Sequence, residues 1–334
     1  MRLIGIVAAV LQCLAICTTA HAQWAPADTF YYYTDQLIPC NRDEADWYCK
    51  VAKQPNKDGW YAFTQYWPSN KVRKIGYSLS EHGNTPIGLY KEYFSDGISV
   101  EKEGHYAVAP WNNKTTVQYG RWIMYWPNGQ KLTEREYRMD NSTRTSIGYV
   151  VNHWDSLGVQ RVTNGNGSYS DTYFNNSFGT RIIETGQVKD GLNDGVWNGY
   201  YYNNAKLCYT ETYRDGKLIK GISYDKKGKK YRYSQVEAFP EFAGGEAALI
   251  KFIGEHIIYP KQDKANNVQG KMLLRFAVAT NGDIEDVRVL RSVSPDMDKE
   301  GLRVVSQLPK FTPGAHRGQA VRVYYNLPLV FKLQ

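Results

Sequence analysis

Catalysis needs particular side chains held close together, and this 334-residue sequence offers few such groupings. Its six histidines stand at 21, 82, 105, 153, 256 and 316, and none forms a His-x-x-x-His pair. Cys-x-x-Cys, Gly-x-Ser-x-Gly and a phosphate-cradling Gly-rich loop are missing too, which removes the usual short motifs of metal, acyl-transfer and nucleotide chemistry. Two acidic groups remain. Asp283, Glu285 and Asp286 lie beside a turn, and Asp296, Asp298 and Glu300 open a helix. Carboxylates at a helix start favour the macrodipole, so capping explains the second group without a metal. His316, in the 314–318 loop, reads as a surface residue. No catalytic residue, metal or cofactor is expected, and a hydrolase would need a spatial constellation of perturbed groups.

The cysteines depend on compartment. Arg2 is followed by an apolar run over residues 3–16, then by Ala20-His21-Ala22, a small-x-small cleavage pattern that makes Gln23 the mature N-terminus. The run is shorter than the ~20 apolar residues of a membrane span. A retained signal anchor is the alternative, and a lipoprotein at Cys17 would need a small residue where Ile16 stands. Export permits disulfides, so Cys40 and Cys49 are expected to form a local bridge worth ~2–3 kcal/mol. Cys208 then has no partner and reads as a small buried apolar residue.

Charge excludes more than it proposes. The net charge is +8, and loss of Arg2 with the leader makes it +7. No nucleic-acid motif accompanies it; the densest run, Lys226, Lys227, Lys229 and Lys230, suits a solvated hairpin. About 310 residues after the leader exceed one small core, so two parts are expected.

The elements that must carry any site fall into two regions. Between residues 24 and 233, aromatics recur in a frame. Gly120, Trp122, Tyr125, Trp126 and Gly129 have counterparts in Gly195, Trp197, Tyr200, Tyr201 and Asn204, and in Gly88, Tyr90, Tyr93, Phe94 and Gly97. The unit reads Gly-x-aromatic-x-x-aromatic-aromatic-x-x-Gly/Asn. Turns such as Asn128-Gly129 and Asp96-Gly97 tolerate positive φ and make each unit a hairpin, which buries its aromatic face only against the next unit. This frame resembles the MORN-like repeats of the bacterial antitoxin-repeat family, which mostly serve as scaffolds. A packed core is one reading of the rings. The other is an exposed stacking patch at Trp122, Trp126 and Trp197 for a glycan or peptide.

From Val236 the period changes. Ala248, Leu249, Phe252, Ile253, His256 and Ile257 form a helical stripe closed by Tyr259-Pro260. Met272, Leu274, Phe276 and Val278 alternate as a strand, Asn281-Gly282 turns, and residues 284–290 return. Ser294-Pro295 caps a second helix bearing Met297, Gly301, Val304, Val305 and Leu308. Val321, Val323, Tyr325 and Leu327 give a third strand before Pro328. The expected fold is α+β, with two helices on a three-stranded antiparallel sheet, after a β-rich repeat region. The parts are a signal peptide at 1–22, an N-terminal segment with the bridge at 23–58, hairpin repeats at 59–235 and the terminal domain at 236–334.

Tyr259-Pro260, Gly270, Phe276-x-Val278, Asn281-Gly282-x-Ile284, Val287-x-Val289, Phe311-Thr312-Pro313-Gly314, Gly318-x-x-Val321 and Pro328-x-x-Phe331 together resemble the TonB C-terminal domain. Gly301 departs from it, standing where the family usually has alanine. With the aromatic repeats upstream, the arrangement also looks like exported Bacteroidetes proteins. The resemblance implies capture of an extended segment of an outer-membrane TonB-dependent transporter, or another envelope protein, by strand addition. The edge is expected at Val321, Arg322, Val323, Tyr324 and Tyr325, with Arg322 and Tyr324 outward and the others packing the helices. Self-dimerisation through this edge is an alternative occupant, and no nucleic acid or small-molecule substrate is evident. A true energy transducer also needs a membrane helix and a Pro-rich span, but the 13 prolines are dispersed. The expectation is therefore a periplasmic, non-enzymatic binding protein. An inner-membrane-anchored transducer follows if the leader is retained, and an envelope scaffold using the aromatic repeats is the second alternative.

Overall fold

The computed structural model describes residues 28–33 and 40–333; the expected signal peptide and cleavage site lie outside them. Among the described residues no helix is long and apolar enough to cross a membrane. Sixteen strands form one antiparallel sheet in strict chain order, each paired only with its sequence neighbours. They are β1 (Asp28–Tyr33), β2 (Trp47–Ala52), β3 (Tyr61–Tyr66), β4 (Val72–Ser78), β5 (Pro86–Tyr93), β6 (Val100–Ala109), β7 (Asn112–Tyr125) and β8 (Lys131–Asp140). Then follow β9 (Thr145–Trp154), β10 (Gln160–Thr163), β11 (Asn166–Asn175), β12 (Thr180–Lys189), β13 (Leu192–Tyr201), β14 (Leu207–Arg214), β15 (Lys217–Tyr224) and β16 (Lys230–Tyr233). The sheet starts upstream of residue 59, because β1 and β2 belong to it.

The glycine–aromatic frame explains this sheet. Gly104 lies under the indole of Trp122 and Gly186 under that of Trp197, so closely that a Cβ on either glycine would come within 2.2–2.5 Å of ring atoms. An aromatic from the next strand thus covers backbone that would otherwise be bare. Trp122 also meets Tyr106 edge-on at 5.2 Å, a geometry worth about 0.5–1.5 kcal/mol beyond area burial. Its Nε1 donates to the His105 carbonyl at 3.0 Å, and Trp197 repeats this toward the Gln187 carbonyl. Trp122 is 0% exposed and Trp197 2%, while Trp126 is half-buried. The packed-core reading therefore describes Trp122 and Trp197, and the alternative of an exposed stacking patch does not. Two of its three tryptophans are core, because each repeat buries its ring against a neighbouring strand's glycine.

The N-terminal end of this aromatic row is closed locally. The loop after β4 brings Gly83 against Cys49, Val51 and Phe63, and His82 meets the ring of Tyr31 edge-on at 4.8 Å. The expected Cys40–Cys49 bridge does not form, and both thiols are free. Cys49 sits on β2 in register with Tyr31 and points into the aromatic core, fully buried. Burial pushes its thiol up to about 12, against a hydrogen bond to Gln65. Cys40 sits outside that core, its backbone N–H bonded to the Tyr32 carbonyl at 3.1 Å.

The terminal region adds β17 (Glu237–Ala238), α1 (Gly245–His256), α2 (Lys261–Ala265), β18 (Gly270–Val278), β19 (Ile284–Arg291), α3 (Pro295–Ser306), β20 (Gly314–His316), β21 (Gln319–Val321) and β22 (Val323–Phe331). One sheet has the order β19-β18-β22 and a small second sheet, absent from the sequence reading, has β17-β20-β21. Met272, Leu274, Phe276 and Val278 of β18 pack with Leu249 and Ile253 of α1 and with Met297, Val304 and Val305 of α3. Ser294 caps α3 by accepting from the Met297 N–H at 3.1 Å, and its hydroxyl donates to the buried Asp263. Gly301 of α3 faces the Met272 thioether, where a Cβ would come within 2.7–2.8 Å of its sulfur and methyl.

Candidate binding edge

β22 alternates in a way that sorts its side chains. Tyr325, Leu327, Leu329 and Phe331 face the helices, with the Tyr325 ring stacked on Phe276 at 5.2 Å, while Tyr324, Pro328 and Val330 are exposed. Of the expected edge residues, Arg322 and Tyr324 point outward and Tyr325 inward, but the strand differs in extent. Val321 belongs to β21, paired with Gly314, whereas β22 starts at Val323 and runs through Pro328 to Phe331. Proline was expected to end the strand. It is tolerated because β22 is an edge, where a missing N–H costs no ladder bond.

Among the described residues β22 pairs with β18 alone, which leaves its other side without a ladder partner. The opposite edge, β19, is less receptive. Its pairing with β18 is broken by two register shifts, Asp286 adopts a φ of 51°, and α3 packs against it. Charged, bulged strands discourage pairing with another chain. The outer face beside β22 is built around Tyr324, whose ring has the guanidinium carbons of Arg322, Arg275 and Arg288 at 4.7, 5.6 and 5.9 Å. Arg322 is paired with Glu285, at 3.3 Å, and with Asp286. Arg275 donates to the Asn326 amide oxygen at 2.9 Å.

A second polar centre joins the two regions, and the sequence reading missed it. The β20–β21 turn places Arg317 and Gly318 at φ 50° and 75°, a two-residue hairpin turn that projects His316 and Arg317 onto the repeat sheet. His316 is 9% exposed rather than a surface residue. Its neighbour Arg317 reaches Glu211 of β14, and the Arg317 carbonyl accepts from the Ser223 hydroxyl at 2.7 Å. Arg317-Gly318 was the only local signal, and its partners are far away in sequence.

Glu134 borders a cavity of about 310 Å³ with Arg121, Glu136, Val151 and Asn152. Burial opposes its charge, but hydrogen bonds from Lys131, Asn152 and Arg121 hold the carboxyl down to about 2, which makes it a poor proton carrier near neutrality. No three His, Cys, Asp or Glu side chains converge as a metal site among the described residues.

No curated protein matches the chain. Residues 255–333, which run from the end of α1 to β22 and so contain the edge, match the family model of the Gram-negative bacterial TonB protein C-terminal, so this stretch, less than half of the chain, is similar to a TonB C-terminal domain.

Proposed function

We propose that β22 captures an extended peptide by strand addition, and that the peptide comes from an outer-membrane transporter or another envelope protein. The supporting observation is a strand, Val323–Phe331, that pairs on one side only among the described residues. The side of the strand away from β18 can offer backbone donors and acceptors to any extended partner, and each net hydrogen bond is worth about 0.5–1.5 kcal/mol. Tyr324 and its arginine surround would contact the partner's side chains on the outer face. The chain acts in the envelope as a binding protein without catalysis, with the periplasm as its compartment once residues 1–22 are removed.

Energy coupling depends on that leader: a retained one would make the protein an anchored transducer, and N-terminal sequencing of the mature chain separates the two. A glycan-stacking scaffold is less well supported, because Trp122 and Trp197 are core residues. For strand addition, peptides from transporter plug segments are titrated into the labelled full chain. Amide resonances of residues 323–331 should shift, and a response confined to the repeats would count against this reading.

A further inference from the structure

His316 is held where only its neutral form fits. Its Nε2 lies 3.1 Å from Arg317 Nη1 and 3.3 Å from the Asn175 Nδ2 of β11. A guanidinium can only donate, so Nε2 must carry a lone pair, and the imidazole is neutral with its proton on Nδ1. The ring also meets Phe178 edge-on at 5.4 Å. Adding a proton to Nε2 removes both bonds and sets a second cation against Arg317.

The charged and titratable groups around this point come from β11, β12, β14, β16 and β17 as well as from the turn itself. Arg317 is the next residue, and Glu237 of β17 is the register partner of His316. Glu211 and Tyr209 of β14 hold Arg317, the guanidinium stacking 3.8 Å from the Tyr209 ring centre. Glu184 of β12, Tyr173 of β11, Tyr213 of β14 and Tyr233 of β16 also face Arg317, and the Tyr213 and Tyr233 hydroxyls donate to Glu211 at 3.0 and 2.8 Å. Glu211 is already engaged by Arg317 at 2.9 and 3.4 Å, so a charged His316 would not inherit an unused counter-ion there.

We propose that His316 makes the junction between the terminal domain and the repeat sheet an acid-sensitive latch, which is docked while the imidazole is neutral and loosens when it gains a proton. Burial first, and then the Arg317 charge, lower the imidazole from its ordinary 6.5 to about 4, with Glu211 opposing. A group depressed by docking binds its proton more readily once released. Docking is therefore strongest above pH 6.5 and weakens as pH falls toward 4, up to about tenfold per pH unit and roughly 300-fold in all. The latch acts through the β20–β21 turn and does not depend on what occupies β22.

Hydrogen–deuterium exchange of the full chain tests it at pH 7 and 4.5, corrected for the intrinsic pH dependence of exchange. Protection of the 314–321 segment should fall at least tenfold more than that of β18. In His316→Gln, whose side-chain oxygen can accept from Arg317 but cannot titrate, that extra loss should vanish. The same loss in His316→Gln would assign the effect to Glu211, Glu184 or Glu237 and overturn the proposal. A second readout needs no variant: imidazole ¹⁵N shifts should report neutral His316 with Nε2 unprotonated down to about pH 5. Ordinary titration near 6.5 with the junction intact would also overturn it.

Discussion

Arg317 and Glu211 lie 106 residues apart in sequence and form a buried ion pair, with Nε donating to Oε1 at 2.9 Å and side chains 7% and 0% exposed. The pair pins the terminal domain to the repeat sheet at the strands that bear Tyr209 and Ser223. Breaking one side strands a charge in the core, which typically costs 3–5 kcal/mol, while removing both charges costs far less. Arg317→Met and Glu211→Gln should each destabilise the chain by at least about 3 kcal/mol, and the double variant by clearly less than their sum. Urea unfolding of the four proteins reads this directly, and strict additivity would show that the pair is not coupled.

The glycines of the repeats should be more sensitive to substitution than their exposure suggests. At Gly186 a methyl group would enter the Trp197 ring, and overpacking of this kind costs about 1–3 kcal/mol or more. Gly254, inside α1, has nothing near its missing Cβ, so alanine there should stabilise by about 0.5–1 kcal/mol through helix propensity. Thermal melts of Gly186→Ala and Gly254→Ala should therefore move in opposite directions.

Parts of this fold could be read from the chain itself. Ser294-Pro295 marked the start of α3, and the alternation Met272-Leu274-Phe276-Val278 marked β18, because caps and strand periodicity are local. The direction of the aromatics was not local. A single-layer sheet reads Gly-x-aromatic whether its rings face solvent or the next strand, and only pairing in space buried Trp122 and Trp197. Cys40 and Cys49 misled for the opposite reason: nearness in sequence said nothing of which face of β2 the Cys49 thiol takes. His316 read as a surface residue and Arg317 gave no sign of a buried pair, since their partners Asn175 and Glu211 lie on strands more than a hundred residues earlier.

The thiols give a direct check. Chain lacking residues 1–22, denatured without reductant, should release three titratable thiols. In the native state Cys40 should react first. Cys49 and Cys208, both buried and raised to about 12, should wait for unfolding. A count of one would restore the bridge.

A second buried histidine makes stability depend on pH independently of the latch. His153 is 0% exposed; Nε2 donates to the Ser170 carbonyl at 2.8 Å, and the remaining lone pair of Nδ1 accepts from the Thr133 hydroxyl at 2.9 Å. Burial lowers its pKa below the ordinary 6.5. The unfolded chain then binds a proton that the folded chain refuses, so stability is full above pH 6.5 and falls below it, by at most ~1.4 kcal/mol per pH unit from this group. In His153→Gln the overall stability is lower but this share of the acid slope should disappear, as measured by urea unfolding at pH 7 and 5.

Pro328 should set how far a partner strand can run. It lies midway along the Val323–Phe331 edge, with Val330 beyond it 65% exposed. Because proline is tolerated on edges with its missing N–H toward solvent, it removes one donor from the side that an incoming peptide would use. Its register partner Leu273 pairs from the other side and is unaffected. In Pro328→Val the donor returns, and one net hydrogen bond of about 0.5–1.5 kcal/mol should tighten peptide binding roughly twofold to tenfold. The same repaired edge is also free to pair with a second copy, so concentration-dependent dimers should appear in sedimentation of the variant and be displaced by the peptide. If affinity and oligomeric state are both unchanged, the added strand stops before residue 328, and recognition rests on the stretch around Tyr324 and Asn326.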